Sequence, residues 1–297
     1  MNTHHLIEKS YRGRFAPSPT GPLHFGSLVA AIGSYLDAKF NHGKWLVRIE
    51  DIDSQREIPG ATSQILFALE SLGMEWDEEI IFQSRRSEVY REALNRLESH
   101  NLVYPCTCSR KEIADSSIIG LSGPIYPGAC LRNPPSLDKP YSLRIRTNEN
   151  QIQFQDILKG MYSQTLKSEI GDFVLRRADG IYAYQLAVVV DDAEQGITHV
   201  VRGADLLDST PRQIFLQNLL GYNTPRYMHL PVATNAAGEK LSKQTNAEPI
   251  EIANALPQLV KALYFLGHDP PLEIIKGDIS SFWQWARENW QINLIPQ

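Results

Sequence analysis

Long apolar runs, an excess of positive charge and a cysteine framework are all lacking in this sequence. No apolar segment approaches the roughly 20 residues that a membrane-spanning helix needs. The first ten residues, MNTHHLIEKS, lack the basic and apolar regions of a secretory signal. We therefore expect a cytoplasmic protein without a membrane partner. The formal net charge of −5 argues against a non-specific nucleic-acid binder but allows RNA binding by local basic patches.

The cysteines are few and closely spaced. Only three are present, Cys106, Cys108 and Cys130. An odd number in a cytoplasmic chain argues against a disulfide framework. Three thiolates and one further ligand suit tetrahedral zinc, and the usual fourth ligand is a histidine, but no histidine lies between His100 and His199. The residues alone leave a zinc site or three reduced structural thiols as alternatives, and the clustering favours zinc.

The sequence does contain the alternation of strands and helices that is typical of an α/β fold. Apolar patterns and turn signals predict strands over 11–16, 44–49, 141–147, 172–190, 198–203 and 229–234. They predict helices around 28–36, 65–72 and 89–97, one between Ser209 and Gly221, and short helices after 248. This alternation predicts a doubly wound, Rossmann-type parallel sheet with helices on both faces.

The pattern divides the chain into four segments. Residues 1–104 form the first half of the Rossmann-type domain. Residues 105–190 form an insertion, which begins with a stretch rich in Pro, Gly, Ser and Cys. Residues 191–247 form the second half, and residues 248–297 form a short helical tail.

The first motif is RFAPSPTGPLHFGS, residues 14–27. A strand leads through a proline-stiffened loop into a helix, whose N-terminus presents free N–H groups to an anion. Gly26 lets a nucleotide approach the backbone closely. His24 can donate a hydrogen bond to a phosphate oxygen as negative charge builds there. Taken alone, His24 fits a satisfied or exposed histidine better than a phosphate ligand.

The second motif is GEKLSKQ, residues 238–244. Lys240 and Lys243 flank Ser242 in a loop that begins with glycine. Two lysines in such a loop suit a polyphosphate, and a solvated lysine loop is the alternative.

Together the two motifs resemble the signatures of the class I aminoacyl-tRNA synthetases, and the first is similar to that of the glutamyl branch. The resemblance covers roughly residues 11–247. Ser27 stands where the general class motif has a second histidine, and Gln244 stands where it ends in serine. The resemblance implies in-line attack of an amino-acid carboxylate on the α-phosphorus of ATP. Positioning and charge stabilisation carry such a reaction.

The resemblance also implies the ATP site. It assigns ATP contacts to His24, Gly26, Ser27 and Lys243. His24, Lys243 and, as an assisting group, Lys240 are the implied catalytic residues, because they stabilise charge on the phosphates. Mg²⁺ is expected with the ATP, bound mainly by the phosphates.

Glutamate requires groups for its ammonium and its side-chain carboxylate. A guanidinium suits the carboxylate, which makes Arg14 and Arg202 candidates. Glu50, at the end of a predicted strand, suits the ammonium. The residues that match the family's amino-acid contacts are Arg14, Phe15, Ala16, Pro17, Ser18, Glu50, Tyr184 and Arg202. Taken singly, the charged residues could form surface ion pairs and Tyr184 could pack in the core.

Two further features resemble the glutamyl-queuosine tRNA(Asp) synthetases, a bacterial branch reduced to a catalytic domain. The Cys-x-Cys…Tyr-x₃-Cys spacing implies one structural zinc held by Cys106, Cys108, Tyr126 and Cys130. Only residues 244–297 follow Lys243, so we expect no anticodon-binding domain. The resemblance implies a monomer that binds ATP, L-glutamate and the anticodon loop of tRNA(Asp), and transfers glutamate to queuosine there.

Three other functions stay open at this level. An ordinary synthetase would charge the 3′ end of tRNA(Glu). A small-molecule adenylate-forming nucleotidyltransferase could share the His-x-Gly element, but would leave the run from Arg14 to Gly26 and the cysteine-containing insertion unexplained. A non-catalytic RNA-binding module would have no need for both His24 and Lys243.

Overall fold

The computed structural model of the protein describes residues 10–117, 119–120, 123–233 and 248–297. Its strands are β1 (Arg12–Phe15), β2 (Lys44–Ile49), β3 (Ile81–Phe82), β4 (Val103–Cys106), β5 (Ile119–Gly120), β6 (Gly123–Pro124), β7 (Ser142–Ile145), β8 (Gln151–Asp156), β9 (Gly160–Thr165), β10 (Val174–Arg176), β11 (His199–Gly203) and β12 (Arg226–Leu230). Its α-helices are α1 (Phe25–Phe40), α2 (Ala61–Ser71), α3 (Ser87–Ser99), α4 (Arg110–Ser116), α5 (Ala129–Arg132), α6 (Leu166–Glu169), α7 (Tyr184–Glu194), α8 (Thr210–Leu220), α9 (Ala255–Phe265), α10 (Leu272–Ile275) and α11 (Ile279–Glu288).

The central sheet is built from two parallel groups of strands that meet edge to edge. One group has the order β1–β2–β3 and is parallel throughout. The other has the order β11–β12–β8–β9, in which only β9 is antiparallel. The groups meet where the Thr198 N–H donates to the Arg12 carbonyl at 2.9 Å. The winding therefore reverses between β1 and β11, and open α/β sheets bind ligands at such a point. The predicted Rossmann-type α/β fold is confirmed.

Helices cover both faces of this sheet because parallel strands are apolar on both sides. One core contains Leu28 of α1, Leu259 of α9 and Phe282 of α11. The other contains Val188 of α7 and Leu216 of α8. Each such side chain contributes about 1.5–3 kcal/mol on burial. Within the described residues, no helix is both long and apolar enough to cross a bilayer.

The end of α2 shows how a single residue sets a helix boundary. Gly73 follows the C-cap Leu72 with φ +73, the left-handed conformation that is typical of a C′ glycine. A Cβ at this position would lie 2.9 Å from Nε1 of Trp283. That nitrogen donates to the Leu72 carbonyl at 2.7 Å. The glycine therefore ends α2 and also makes room for a side chain of α11.

The predicted strand over 172–190 is wrong beyond β10. The chain turns at Asp179 and Gly180, and α7 begins at Tyr184. A short apolar run such as 186–190 fits a buried strand or a buried helix equally well, and packing decides between them. The last predicted strand, 229–234, is also shifted. It ends at Leu230, because Pro231 has no N–H for a strand ladder.

The β8–β9 hairpin is a feature that the sequence patterns used above do not predict. Side chains of β8 alternate between exposed and buried, as expected for a strand with one buried face. β8 pairs with β12 at Asp156 and Tyr227. The segment predicted as an insertion therefore adds strands to the central sheet, besides its own antiparallel sheet β10–β7–β4. The division of the chain at residues 104, 190 and 247 stays a prediction.

Candidate active site

A cleft of about 550 Å³ opens at the carboxyl ends of β1, β11 and β12. Its walls include every predicted ATP and glutamate residue that the structure describes. These are Arg14, Phe15, Ala16, Pro17, Ser18, His24, Gly26, Ser27, Glu50, Tyr184 and Arg202. Lys240 and Lys243 lie in 234–247, outside the described residues. The fold thus brings together residues that are far apart in the sequence, at the edge where such sheets bind ligands.

His24 caps the N-terminus of α1. Its Nδ1 accepts the Ser27 N–H at 3.3 Å, and the Ser27 hydroxyl accepts the His24 N–H at 2.8 Å. These reciprocal bonds form a capping box, which satisfies two N–H groups that a helix start leaves free. Since Nδ1 is an acceptor, the proton of a neutral imidazole is on Nε2. His24 can therefore offer an N–H donor in the cleft. Ser27, at the position of a histidine in the general class motif, holds that ring.

Arg14 is paired with a buried carboxylate. Its Nε and Nη2 contact the two oxygens of Asp192 at 3.2 and 3.3 Å. Arg48 Nη1 contacts the same carboxylate at 2.8 Å and also Oε1 of Gln195 at 2.7 Å. Burial opposes ionisation of Asp192, but the two arginines outweigh it and hold its pKa below its ordinary value. The charge of Arg14 is thus largely compensated within the protein.

Glu50 lies beside these arginines where the chain leaves β2. Its carboxylate is 3.4 Å from Nη2 of Arg48, and its side chain is 8% exposed. Burial raises the pKa of Glu50, whereas the charges of Arg48 and Arg14 lower it. The Glu50 N–H donates to the Pro17 carbonyl at 3.0 Å, which ties this residue to the first motif. An ammonium group in the cleft would stabilise the ionised carboxylate further.

Arg202 has a different environment, although it is only 5% exposed. Its Nε donates to Nε2 of His229 at 3.1 Å, and its Nη2 donates to the Thr210 hydroxyl at 2.8 Å. Longer contacts of 3.4 Å join it to the Tyr184 hydroxyl and the Leu206 carbonyl. Among the described residues, none of its hydrogen-bond partners is a carboxylate. The positive charge of Arg202 therefore stays available to an anionic ligand.

Tyr184 begins α7, and its hydroxyl lies 3.4 Å from Nη1 of Arg202. Burial is the largest effect on its hydroxyl and raises its pKa. The phenol therefore stays protonated at neutral pH. Because the hydroxyl accepts from Arg202, its own hydrogen can be donated to a ligand.

The three cysteines form a second cluster, away from the cleft walls. All are free thiols, and their sulfur atoms lie within 4.8 Å of one another. Cys108 and Cys130 are 3.4 Å apart between sulfurs, too far for a disulfide. The Tyr126 hydroxyl lies 3.4 Å from the Cys106 sulfur and 3.7 Å from that of Cys108. The predicted four residues therefore meet at one point, and the cysteines could hold a metal ion.

The thiols of this cluster differ in acidity. Burial works against ionisation of Cys130, but hydrogen bonds from the Thr107 backbone and Tyr126 outweigh it and lower the pKa of this thiol to about 7. Burial raises the pKa of Cys108 to about 11, and Cys130 adds to that effect. Cys130 thus ionises more readily than Cys108, and metals bind thiolates.

Several residues that contact the cleft walls from behind were not predicted from the sequence. Arg48 and Asp192 balance Arg14 and Glu50, and His229 and Thr210 contact Arg202. A usable signal exists for Asp192. Asp191 and Asp192 directly follow the apolar run 186–190, and charges placed among buried residues are rarely left without partners. The histidine at 229 gives no comparable signal, because its partners come from distant segments.

Comparisons with known proteins agree with this geometry. The family model of the class I tRNA synthetases for glutamate and glutamine, catalytic domain, matches residues 10–255. The glutamyl-Q tRNA(Asp) synthetase of Dechloromonas aromatica is 55% identical over 293 residues, which cover 98% of this chain and 97% of the relative. The enzyme of the same name from Chromobacterium violaceum is 54% identical, covering 96% and 95%. A glutamate tRNA ligase structure from Elizabethkingia meningosepticum, in complex with its amino acid, superposes with a TM-score of 0.78 at 26% identity. That similarity covers 97% of this chain and 66% of the ligase.

Proposed function

This chain belongs to the glutamyl-Q tRNA(Asp) synthetases, within the class I tRNA synthetases for glutamate and glutamine. We propose that its reaction has two steps. The enzyme activates L-glutamate with ATP and transfers the glutamyl group to queuosine in the anticodon of tRNA(Asp). In the first step the α-carboxylate attacks the α-phosphorus of ATP, and pyrophosphate leaves. In the second step a hydroxyl of the base attacks the carbonyl carbon of glutamyl-adenylate, and AMP and a proton are released.

The observation that supports glutamate is the charge arrangement of the cleft. Among the described residues, every hydrogen-bond partner of Arg202 is neutral. A substrate carboxylate can therefore pair with its guanidinium. Glu50 provides the matching anion for the ammonium group, and the Tyr184 hydroxyl can donate to either end of the ligand. Arg14 is compensated by Asp192, and we assign to it a hydrogen-bonding role more than a charge role. Phe15, Ala16, Pro17 and Ser18 form the wall beside them.

For ATP we propose contacts from the start of α1. His24 donates from Nε2 to a phosphate oxygen, and Gly26 and Ser27 let the nucleotide lie against the helix N-terminus, which favours anions. Lys240 and Lys243 stay proposed phosphate ligands on the strength of the resemblance. Mg²⁺ with the ATP would neutralise further phosphate charge and be bound mainly by the phosphates.

For the cysteine cluster we propose one structural zinc ion. Tetrahedral zinc with bonds of 2.3 Å to sulfur separates two thiolates by about 3.8 Å. The 3.4 Å between Cys108 and Cys130 and the distances from the Tyr126 oxygen, 3.4 and 3.7 Å, fit this arrangement. The residues present therefore suit Cys₃Tyr coordination. Zinc there would fix the fold of the loop-rich segment around β4, β5 and β6.

The acceptor follows from the relatives and from the chemistry of the base. Queuosine carries a vicinal pair of hydroxyls, as the terminal ribose of a tRNA does, so a site that presents glutamyl-adenylate to one diol can serve the other. A single-stranded loop is also a normal target for RNA recognition. The second candidate is charging of a tRNA 3′ end, which the structural similarity to a glutamate tRNA ligase favours.

One assay tests the activation that both candidates share, and a second assay separates them. ATP–pyrophosphate exchange without tRNA should depend on glutamate, and its absence with every amino acid would refute activation. Labelling of tRNA(Asp) with radioactive glutamate should survive removal of the 3′-terminal adenosine. Loss of label on that truncated tRNA would support charging of the 3′ end instead.

A further inference from the structure

A buried pair of side chains, Asp156 and His229, lies behind Arg202 and does not itself line the cleft. Nδ1 of His229 lies 2.6 Å from Oδ2 of Asp156, and both side chains are 0% exposed. On the other side of the ring, Nε2 of His229 receives the Nε–H of Arg202 at 3.1 Å. Asp156 ends β8, His229 lies on β12 and Arg202 on β11, so three neighbouring strands contribute one member each.

The contacts define the protonation of the histidine. Oδ2 of Asp156 is an acceptor, so Nδ1 carries the hydrogen. Nε2 is then the lone-pair nitrogen, and only this tautomer can accept from Arg202. Burial lowers the pKa of His229 and the charge of Arg202 adds to that effect, while the bond to Asp156 opposes it. A neutral ring is therefore the stable form beside the guanidinium.

The arrangement separates orientation from charge. A carboxylate in direct contact with Arg202 would orient it and also cancel its charge, as Asp192 does for Arg14. A neutral imidazole orients the guanidinium and leaves its charge for the substrate. The Thr210 hydroxyl, 2.8 Å from Nη2, fixes a second edge of the same group.

We propose that Asp156 and His229 are positioning residues that determine the specificity for glutamate, by holding the Arg202 guanidinium towards the side-chain carboxylate of the substrate. This inference rests on the proposed activation of glutamate. It also gives a role to the β8–β9 hairpin, because β8 delivers the carboxylate that sets the tautomer.

Asp156→Asn tests the tautomer with almost no change of shape. Oδ1 of Asp156 accepts the N–H groups of Leu158 and Lys159 at 3.0 and 2.9 Å. These two donors would hold the amide oxygen of Asn in the same place, which turns the NH₂ group towards His229. Nδ1 must then accept, Nε2 becomes a donor, and two donors face each other at Arg202.

The readout is ATP–pyrophosphate exchange with glutamate and with glutamine. For Asp156→Asn we expect the KM for glutamate to rise by about 10- to 100-fold, as for the loss of a hydrogen bond to a charged group. The KM for ATP should stay within about twofold. The preference for glutamate over glutamine should fall in parallel, because the uncharged amide gains little from Arg202. A merely structural role would lower kcat for both substrates and leave both KM values unchanged.

Asp172→Asn is the matched control. Asp172 is equally buried and accepts the Thr147 N–H and hydroxyl and the Tyr104 hydroxyl, but it does not line the cleft. This variant should lose stability and keep the KM for glutamate. An unchanged KM in folded Asp156→Asn protein would overturn the inference. Absence of exchange in the wild-type enzyme would instead refute the proposed function.

A second measurement does not depend on the folding of a variant. The ring nitrogen shifts of His229 in ¹⁵N-histidine-labelled wild-type protein report its tautomer directly. Protonated Nδ1 and bare Nε2 are expected. Protonated Nε2 would overturn the inference.

Discussion

Replacement of Arg202 by glutamine removes the charge that we assign to glutamate recognition. Arg202 is 5% exposed, so water cannot fill its place easily. A hydrogen bond to a charged group contributes about 1.5–3 kcal/mol, and an ion pair at 4 Å about 4 kcal/mol at an effective dielectric constant of 20. We therefore expect a loss of about 3–4 kcal/mol in transition-state binding, which lowers kcat/KM for glutamate by roughly 10²–10³-fold.

The same change should affect glutamine far less, because an amide side chain forms no ion pair with Arg202. Exchange assays with both amino acids measure the two values of kcat/KM. Arg226→Gln is the control, since it removes an exposed guanidinium at the opposite end of β12 from the cleft, and activity should stay within about twofold. Equal losses for glutamate and glutamine in Arg202→Gln would refute the assignment of the charge.

Three other predictions concern the nucleotide, the metal and acid stability. His24→Asn keeps a side chain that caps α1 but removes the imidazole donor, so kcat for exchange should fall by roughly 10²–10³-fold while the melting temperature changes little. An intact kcat would contradict the phosphate contact. Elemental analysis should find one zinc per chain. The affinity of Cys130→Ser for zinc should be lower by a factor of about ten or more. A purified protein that is fully stable without metal would contradict the zinc site. Burial, with a smaller effect of Arg226, lowers the pKa of His199 to about 4. Between about pH 6.5 and pH 4, His199 is therefore protonated in the unfolded chain but neutral in the folded chain. The free energy of unfolding should decrease as the pH falls through this window. His199→Gln should reduce that slope in denaturant titrations, and an unchanged slope would exclude this origin.

The sequence predicts the fold and the members of the cleft better than their partners. A strand followed by a proline-stiffened loop and a helix start is a local pattern, and residues 14–27 adopt it as predicted. The β8–β9 hairpin and the helix α7 depend on packing against distant segments, which local patterns do not contain.

The charged residues of the cleft also depend on partners from distant segments, which the sequence pattern does not reveal. Arg14 and Arg202 are equivalent candidates in the sequence, because a guanidinium in either place suits a carboxylate. In the fold Arg14 has Asp192 as a partner, whereas Arg202 has His229 and Thr210. Only the three-dimensional arrangement decides which of the two charges stays available for a substrate.

Labelling of tRNA(Asp) with and without queuosine is the most direct test of the proposed acceptor. Both tRNAs are incubated with the enzyme, ATP and radioactive glutamate under conditions in which exchange activity is equal. Label should enter the queuosine-containing tRNA and stay with the anticodon fragment after nuclease digestion. Equal labelling of tRNA(Asp) that lacks queuosine would contradict the account.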